Sequence, residues 1–372
     1  MPFQLQKLID RNIGYALCKL FGLFTRIDNN NLSKKFKPKT ILIIRLWTIG
    51  ESILTMPMIH ELRKKYPEAQ IDVLCYRSSK VFEMNKDVDK IVDFGANNFF
   101  KFKKYDLAID TEPYLNISAI LSFWMAKKRI GFSHGARSEV YNYKVKFNDQ
   151  QHEVKTFIDL IKVINDLRNV EYPEELVKLE VHEKYKKSAD KFLKKNRLDN
   201  FKFIGVSAGV AESAKIRMWP IDRFAKLSDK IIENHKFQIV FFGAPEDYKV
   251  SEQIISMMKH KNKTLNLCGK LKLEEAVHAI SKSCAFISND SGLMHVSASQ
   301  KVKTLGLFGP NTPLRFAPYG KRNSYCYKGK KPIINVHKGE IPEEDTYRSM
   351  EKLTVDDVYK EFEKLQKDTE II

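Results

Sequence analysis

The chain has 372 residues, which suits two domains of ordinary size, and a hydrophobic content of 43% can fill a core in each. Its formal net charge of +18 favours anionic partners such as nucleotides, phosphorylated sugars, nucleic acid or an acidic membrane, or else reflects only a soluble, Lys-rich surface. Cys18, Cys75, Cys268, Cys284 and Cys326 are scattered and form no CxxC, which argues against a disulfide framework or a zinc site and fits a reducing cytoplasm; no apolar run reaches the ~20 residues of a membrane-spanning helix.

In residues 1–38, Leu5, Leu8, Ile9, Ile13, Leu17, Leu20, Phe21 and Phe24 recur at steps of three and four, with Lys7, Arg11, Lys19 and Arg26 among them. The pattern predicts an amphipathic N-terminal helix, followed by a polar linker. There is no small-residue cleavage site and no clean apolar centre, so it does not read as a signal peptide. Two readings stand for residues 1–26: peripheral contact with the inner face of the cytoplasmic membrane, or packing of the stripe on the chain's own domain.

Thr40 to Leu46 is an almost unbroken β-branched and Leu run, as expected of a strand buried on both faces. A turn over 47–52, a helix carrying Ile53, Leu54, Met58, Ile59 and Leu62, and a strand over 71–75 complete a β-α-β unit. Strands are predicted at 90–94 and 105–110, a helix at 116–127, an edge strand at 129–132, a loop over 133–150 and a helix at 152–168. The pattern restarts with a strand at 203–207, a helix from Pro220, a strand at 238–243, a helix at 273–281 and a strand at 285–287. A helix then begins near Leu293, with a strand at 304–310. Residues 321–349 read as irregular, and Thr354 caps a last helix.

These elements predict α/β architecture: two doubly wound, Rossmann-like domains in tandem, over 39–180 and 181–372, after the segment 1–38. The last helix is a candidate to pack back on the first domain. Ligands of such sheets bind beyond the carboxyl ends of the strands, where the polar and Gly-containing turns fall.

The strongest of these turns is Asn289-Asp290-Ser291-Gly292-Leu293-Met294-His295. Asn289, Asp290 and Ser291 suit a helix N-terminus, Gly292 permits close backbone approach, and unpaired N–H groups at a helix start attract phosphate. His295 follows one turn later and can share the ligand. The competing reading is a capped helix with a core histidine. Ser207-Ala208-Gly209 and Lys215-Ile216-Arg217-Met218-Trp219-Pro220 form the second signal. Lys215 and Arg217, just before a helix, can neutralise a departing diphosphate, or are a solvated basic loop. At Gly243-Ala244-Pro245-Glu246, Glu246 can accept a hydrogen bond from a sugar hydroxyl, or is an exposed turn residue. In the first domain, Gly50 opens an acceptor-side loop in which Glu51 is the candidate base for inverting glycosyl transfer; taken alone, Glu51 reads better as a cap for the helix starting near Ser52. There is no Walker motif, no GxGxxG after the first strand, no HExxH and no GxSxG. Nor is there an aromatic-interleaved basic module, so nucleic acid is not an expected partner.

In order, Ile41-Leu42-Ile43-Ile44-Arg45-Leu46…Ile49-Gly50-Glu51, Arg217-Met218-Trp219-Pro220, Phe242-Gly243-Ala244-Pro245, Asn266-Leu267-Cys268-Gly269, Asn289 to His295 and Phe308-Gly309-Pro310-Asn311-Thr312-Pro313 resemble glycosyltransferase family 9. These are the bacterial heptosyltransferases of lipopolysaccharide core assembly. The resemblance covers roughly 40–320 and implies a GT-B fold with domains facing across a cleft. It implies an ADP-heptose-type donor held mainly by the C-terminal domain, a glycan or glycolipid acceptor, and no metal or other cofactor. Three positions depart from the family pattern. Glu51 stands where Asp is usual and is taken as the base, Arg217 where Lys is usual, and Ser291 where Thr is usual. Each keeps the chemistry of the residue it replaces. A non-catalytic nucleotide-sugar or glycan-binding protein of the same fold is the alternative.

Overall fold

A computed structural model of the chain describes residues 8–28, 31–46, 48–76, 78–198, 202–329 and 348–367. The chain divides into two units, residues 1–173 and 174–372. Each contains a six-stranded parallel sheet.

In the first unit β1 (Thr40–Ile44), β2 (Gln70–Cys75), β3 (Lys90–Asp93), β4 (Tyr105–Asp110), β5 (Ala126–Phe132) and β6 (Tyr143–Val145) lie in the order β3-β2-β1-β4-β5-β6. Ile41 to Ile44 of β1 lie between strands on both edges, Ile41 and Ile43 in register with Ile71 and Val73 on β2 and with Leu107 and Ile109 on β4, and side chains of both parities are fully buried, so both faces are covered. That explains the unbroken apolar run. The predicted edge strand at 129–132 is instead an inner strand, because residues 133–150, expected as a loop, supply β6. Tyr143-Lys144-Val145 is too short to show a period of two.

In the second unit β7 (Phe203–Ser207), β8 (Gln238–Phe241), β9 (Thr264–Asn266), β10 (Ala285–Asn289), β11 (Thr304–Phe308) and β12 (Ser324–Tyr327) repeat the arrangement as β12-β11-β10-β7-β8-β9. β12 falls in the stretch expected to be irregular; the rest of that stretch, 330–347, lies outside the described residues. In both sheets the strand order reverses beside the unit's first strand, between β1 and β4 and between β7 and β10. Ligands of doubly wound sheets bind at such reversals.

Phe286 on β10 pairs with Gly205 on β7, and its ring lies over the glycine: a Cβ there would stand 2.4 Å from Phe286 Cδ2. Gly205→Ala is therefore expected to destabilise the second unit by about 1–3 kcal/mol, read as a lower Tm.

The helices used below are α1 (Tyr15–Gly22), α2 (Ile49–Lys65), α3 (Ser79–Phe82), α4 (Asn116–Met125), α5 (Glu153–Ile161), α6 (Glu183–Lys195), α7 (Ile221–His235), α8 (Tyr248–Met257), α9 (Leu273–Ile280), α10 (Gly292–Ser299), α11 (Pro313–Phe316), α12 (Ser349–Lys352) and α13 (Val355–Lys367). α13, the candidate to return to the first domain, is part of the second unit. Its Val358, Phe362 and Leu365 enter a core with Ile231 and Ile232 of α7. A capping box starts it: Thr354 Oγ1 accepts from Asp357 N–H at 3.1 Å and Asp357 Oδ2 from Thr354 N–H at 3.1 Å.

The expected amphipathic helix at the N-terminus takes another form. Leu5 and Lys7 lie outside the described residues; from Asp10 to Gly14 the chain makes a π-type turn, and α1 follows. Leu17, Cys18 and Phe21 pack with Ala119, Ile120, Phe123, Val140 and Tyr141 of the same unit. Asp10 caps α4, accepting from Asn116 N–H at 3.0 Å and Ile117 N–H at 2.7 Å. Ile13, Leu20, Leu23 and Phe24 of the segment are exposed. The apolar stripe is thus only partly covered by the unit: Leu17 and Phe21 pack on it, and Ile13, Leu20 and Phe24 of the same stripe stay exposed.

Candidate active site

The loop leaving β1 begins with Arg45, whose side chain is buried at the strand-order reversal of the first sheet. It donates from Nη1 to Thr111 O at 3.1 Å, pairs through Nη2 with Glu51, and places Nε 3.8 Å from Glu112 Oε1. Thr111 and Glu112 directly follow β4, so the two central strands deliver one guanidinium and one carboxylate to the same point. Glu112 accepts from Leu46 N–H at 2.7 Å. Burial opposes the charge on Arg45, but Glu112 and Glu51 hold its pKa above the ordinary value. One guanidinium cannot neutralise two carboxylates, and the enclosed Glu112 yields: burial pushes its carboxyl up, against the pull of Arg45.

Glu51 is not in a loop. α2 starts at Ile49, so Gly50 and Glu51 lie in its first turn, with Gly50 buried. Thr48 is the N-cap: its Oγ1 accepts from Glu51 N–H at 3.3 Å and donates to Glu51 Oε2 at 2.9 Å. Thr48 holds φ 59°, a conformation that costs a β-branched residue energy and is tolerated where the surroundings fix it. The helix N-terminus favours the negative charge of Glu51. Thr48, and not Glu51, therefore caps the helix, and the Glu51 carboxylate sits within the first turn at the sheet's ligand-binding end.

Behind this lies a second buried pair. Asp110 Oδ2, at the end of β4, accepts from Arg137 Nη2 at 2.8 Å and from Tyr141 O–H at 2.6 Å. Arg137 also donates to the carbonyl of Glu112, linking the two clusters.

In the second unit, Ser207 ends β7 opposite Ser288 on β10, both buried. Asn289 ties the reversal together, donating from Nδ2 to Ala208 O at 2.7 Å and accepting at Oδ1 from Trp219 N–H at 3.1 Å. Trp219 in turn donates from Nε1 to Leu353 O at 2.8 Å. Asn289→Ala leaves two buried backbone groups unsatisfied. It is expected to cost about 1–3 kcal/mol in stability and to loosen the 212–219 loop, measured by Tm and by limited proteolysis in that loop.

Asp290 lies 3.4 Å from Arg217 Nη1 and accepts from Asn311 Nδ2 at 2.5 Å. Its charge is thus balanced locally. Ser291 is the N-cap of α10 but makes no side-chain cap bond; its Oγ is 3.0 Å from Ser288 Oγ. Gly292 opens the helix and His295 is buried in its first turn. Arg217, Asp290, Ser291, Gly292 and the Ser207 strand end therefore converge. Lys215 does not join them: it pairs with Glu212 at 2.5 Å, and both side chains are exposed. Glu246 is exposed on the turn after β8, and its neighbour Asp247 points inward. Asp247 Oδ2 accepts from Ala244 N–H at 2.8 Å, and its carboxyl fills the space over Gly209 and Gly243, where added Cβ atoms would stand 1.9 and 2.6 Å from it. Burial pushes this carboxyl above its ordinary range.

Sequence reasoning gave no role to Arg45, Glu112, Asn311 and Asp247, and took Asn289 for a helix cap where its side chain instead ties Ala208 to Trp219. The available signals were a charged residue closing an otherwise apolar strand, and two glycines at neighbouring strand ends that need an inward neighbour. Among the described residues no group of three His, Cys, Asp or Glu side chains could hold a metal ion.

The family model described as Glycosyltransferase family 9 (heptosyltransferase) matches residues 100–344. Lipooligosaccharide heptosyltransferase 2 of Haemophilus ducreyi is 28% identical over 349 residues, covering 87% of this chain and 99% of that protein. A glycosyltransferase family 9 structure from Veillonella parvula has a TM-score of 0.75 at 24% identity, covering 89% of this chain and 98% of the other. For the ADP-heptose lipopolysaccharide heptosyltransferase II of Escherichia coli the values are 0.71, 22%, 89% and 99%. At these identities the two structures speak to the fold.

Proposed function

This chain belongs to glycosyltransferase family 9 (heptosyltransferase), and from that premise we propose that it is an inverting enzyme that moves heptose from ADP-heptose to a saccharide of a lipopolysaccharide core or related cell-surface glycan. Its fold is GT-B, and each unit is doubly wound. The second unit binds the donor. Amide N–H groups at Ser291 and Gly292 and the cation of Arg217 take the diphosphate, with Lys215 able to swing in from its solvent pairing and His295 beside the helix start. Ser207 and Glu246 meet hydroxyl groups of the nucleoside or sugar. Asp290 orders the turn by holding Arg217 and Asn311.

The first unit supplies the base. Glu51 takes the proton of an acceptor hydroxyl as that oxygen bonds to the anomeric carbon, opposite the diphosphate. The bond from that carbon to the diphosphate breaks, and ADP leaves with the electron pair and its negative charge. Arg45 and Thr48 hold the Glu51 carboxylate in place. No metal or other cofactor takes part. The work takes place at the inner face of the cytoplasmic membrane, where a lipid-linked acceptor is presented.

The observation that carries this reading is the Glu51 carboxylate, fixed by Arg45 at the ligand-binding end of the first sheet but still about a quarter exposed. A thermal-shift panel of ADP-heptose against UDP-, GDP- and CDP-linked sugars tests the donor. The correct donor at about 100 times its Kd should stabilise by roughly 2.7 kcal/mol. ADP release on adding a core saccharide then tests transfer. Stabilisation by another nucleotide sugar and none by ADP-heptose would overturn the donor assignment.

A further inference from the structure

Residues 133–150, which leave β5 and lead through β6 towards α5, carry aromatic rings that neither the carboxylate cluster nor the donor turn accounts for. Phe132, the last residue of β5, is fully buried. Two further rings pack on it: Phe147, just beyond β6, meets it edge-on with centroids 5.0 Å apart, and His134 lies 6.3 Å away. Tyr114, between β4 and α4, closes the group, 5.8 Å from His134 and 6.0 Å from Phe147, and His134 and Phe147 are 5.3 Å apart. Tyr114, His134 and Phe147 all stay partly exposed. A ring that only filled a core would be covered, as Phe132 is. This group keeps an open side at the carboxyl ends of three neighbouring parallel strands, where such sheets bind ligands, and it has the make-up of a pocket wall.

The wall is tied to the candidate base. Pro113 lies between Glu112 and Tyr114, and its carbonyl accepts from His134 Nε2. Arg137, on the same connection from β5 to β6, donates to the Glu112 carbonyl, and Glu112 faces Arg45, the partner of Glu51. Tyr114 is held from its other side as well, because α4 starts two residues later, where Asp10 accepts from Asn116 N–H and Ile117 N–H. The rings therefore have fixed positions on the β4 side of the Glu51 cluster. An acceptor whose hydroxyl reaches Glu51 has to lay its remaining atoms over neighbouring strand ends, and on this side those ends carry aromatic rings.

We propose that Tyr114, His134 and Phe147 form a subsite for a sugar ring of the acceptor, which lays its C–H face against them. This rests on the sugar-transfer reading and deepens it: Glu51 does the chemistry, and the rings choose and hold the saccharide. The hydroxyl groups of a pyranose project mainly from its rim, so its C–H face is the part that aromatic side chains can take out of water at little cost. Contacts of this kind form equally in the ground state and in the transition state, so they set acceptor affinity and leave the chemical step alone.

The test uses the full chain, with ADP-heptose as donor and a deacylated lipopolysaccharide core oligosaccharide as acceptor. Tyr114→Leu and Phe147→Leu keep an apolar side chain in place and remove the flat ring. Each should raise the acceptor KM about tenfold, with kcat at saturating acceptor, the donor-induced thermal shift and Tm nearly unchanged. Phe147→Tyr, which restores a ring, should return the KM close to the wild-type value. Saturation-transfer NMR with the oligosaccharide alone should pass magnetisation from aromatic protons to sugar C–H protons, and the two Leu variants should lose that signal. This measurement needs no donor, so a wild type that shows the signal but does not use ADP-heptose overturns the donor assignment and supports the subsite. A wild type without the signal overturns the subsite, as do Leu variants with unchanged KM and unchanged signal, or with a lowered Tm alone, which marks the rings as core. Tyr76 and Phe94 form an edge-on pair just beyond β2 and β3. If Tyr76→Leu/Phe94→Leu raises the acceptor KM and the other Leu variants do not, the acceptor extends the opposite way and the proposal fails.

Discussion

Glu51→Gln is expected to lower the rate constant for sugar transfer by about 10²- to 10⁴-fold while leaving the affinity for the donor nearly unchanged. Gln is isosteric and can still accept from the Thr48 hydroxyl, so the start of α2 should hold. What it loses is the negative charge paired with Arg45 and the ability to take a proton. Single-turnover transfer and thermal shift with ADP-heptose separate chemistry from binding. Glu51→Asp, which restores the carboxylate usual in the resembling family, should fall between wild type and Gln. Its shorter side chain keeps the chemistry but moves the oxygen by about one methylene. Turnover by Glu51→Gln equal to wild type would remove this residue from the mechanism.

The largest effect on stability is expected at Arg137. Arg137→Met leaves the fully buried Asp110 carboxylate without its cationic partner, with Tyr141 O–H still donating, and should cost about 3–5 kcal/mol. Adding Asp110→Asn removes the stranded charge, so the double variant should recover a substantial part of the loss, as a denaturant-based double-mutant cycle would measure. If the two single losses simply add, the pair is not energetically coupled. Because Arg137 also donates to the Glu112 carbonyl, the single variant should slow transfer as well as destabilise the fold.

Much of the architecture was legible because local pattern and final environment agree. The β1 and β7 runs are buried on both faces and read as continuous apolar stretches; Pro220 and Thr354 mark helix starts that occur within a residue of where they were expected. β6 and β12 were not legible. Both are short outermost strands whose pairing is set by the neighbouring strand and not by a period of their own. At the N-terminus, a stripe with basic interruptions implied one apolar face, and only packing on α4 decided which part of it is covered.

The same division runs through the candidate site. Sequence order and residue type were enough to single out Glu51, Arg217 and the Asp290 to His295 turn, because strand-end turns with caps, cations and glycines carry their chemistry locally. They could not separate Lys215, paired in solvent, from Arg217, turned onto Asp290, nor exposed Glu246 from inward Asp247. They gave no sign that Arg45, which pairs with nearby Glu51, also faces Glu112, brought to it only because β1 and β4 are neighbours where the strand order reverses. The sequence by itself determined the layered α/β framework and the chemical types at its strand ends, since these follow from hydrophobic periodicity and turn preference. The tertiary structure alone decided which of those groups share a charge, because partners sixty or more residues apart are chosen by strand adjacency and burial, and spacing along the chain does not encode either.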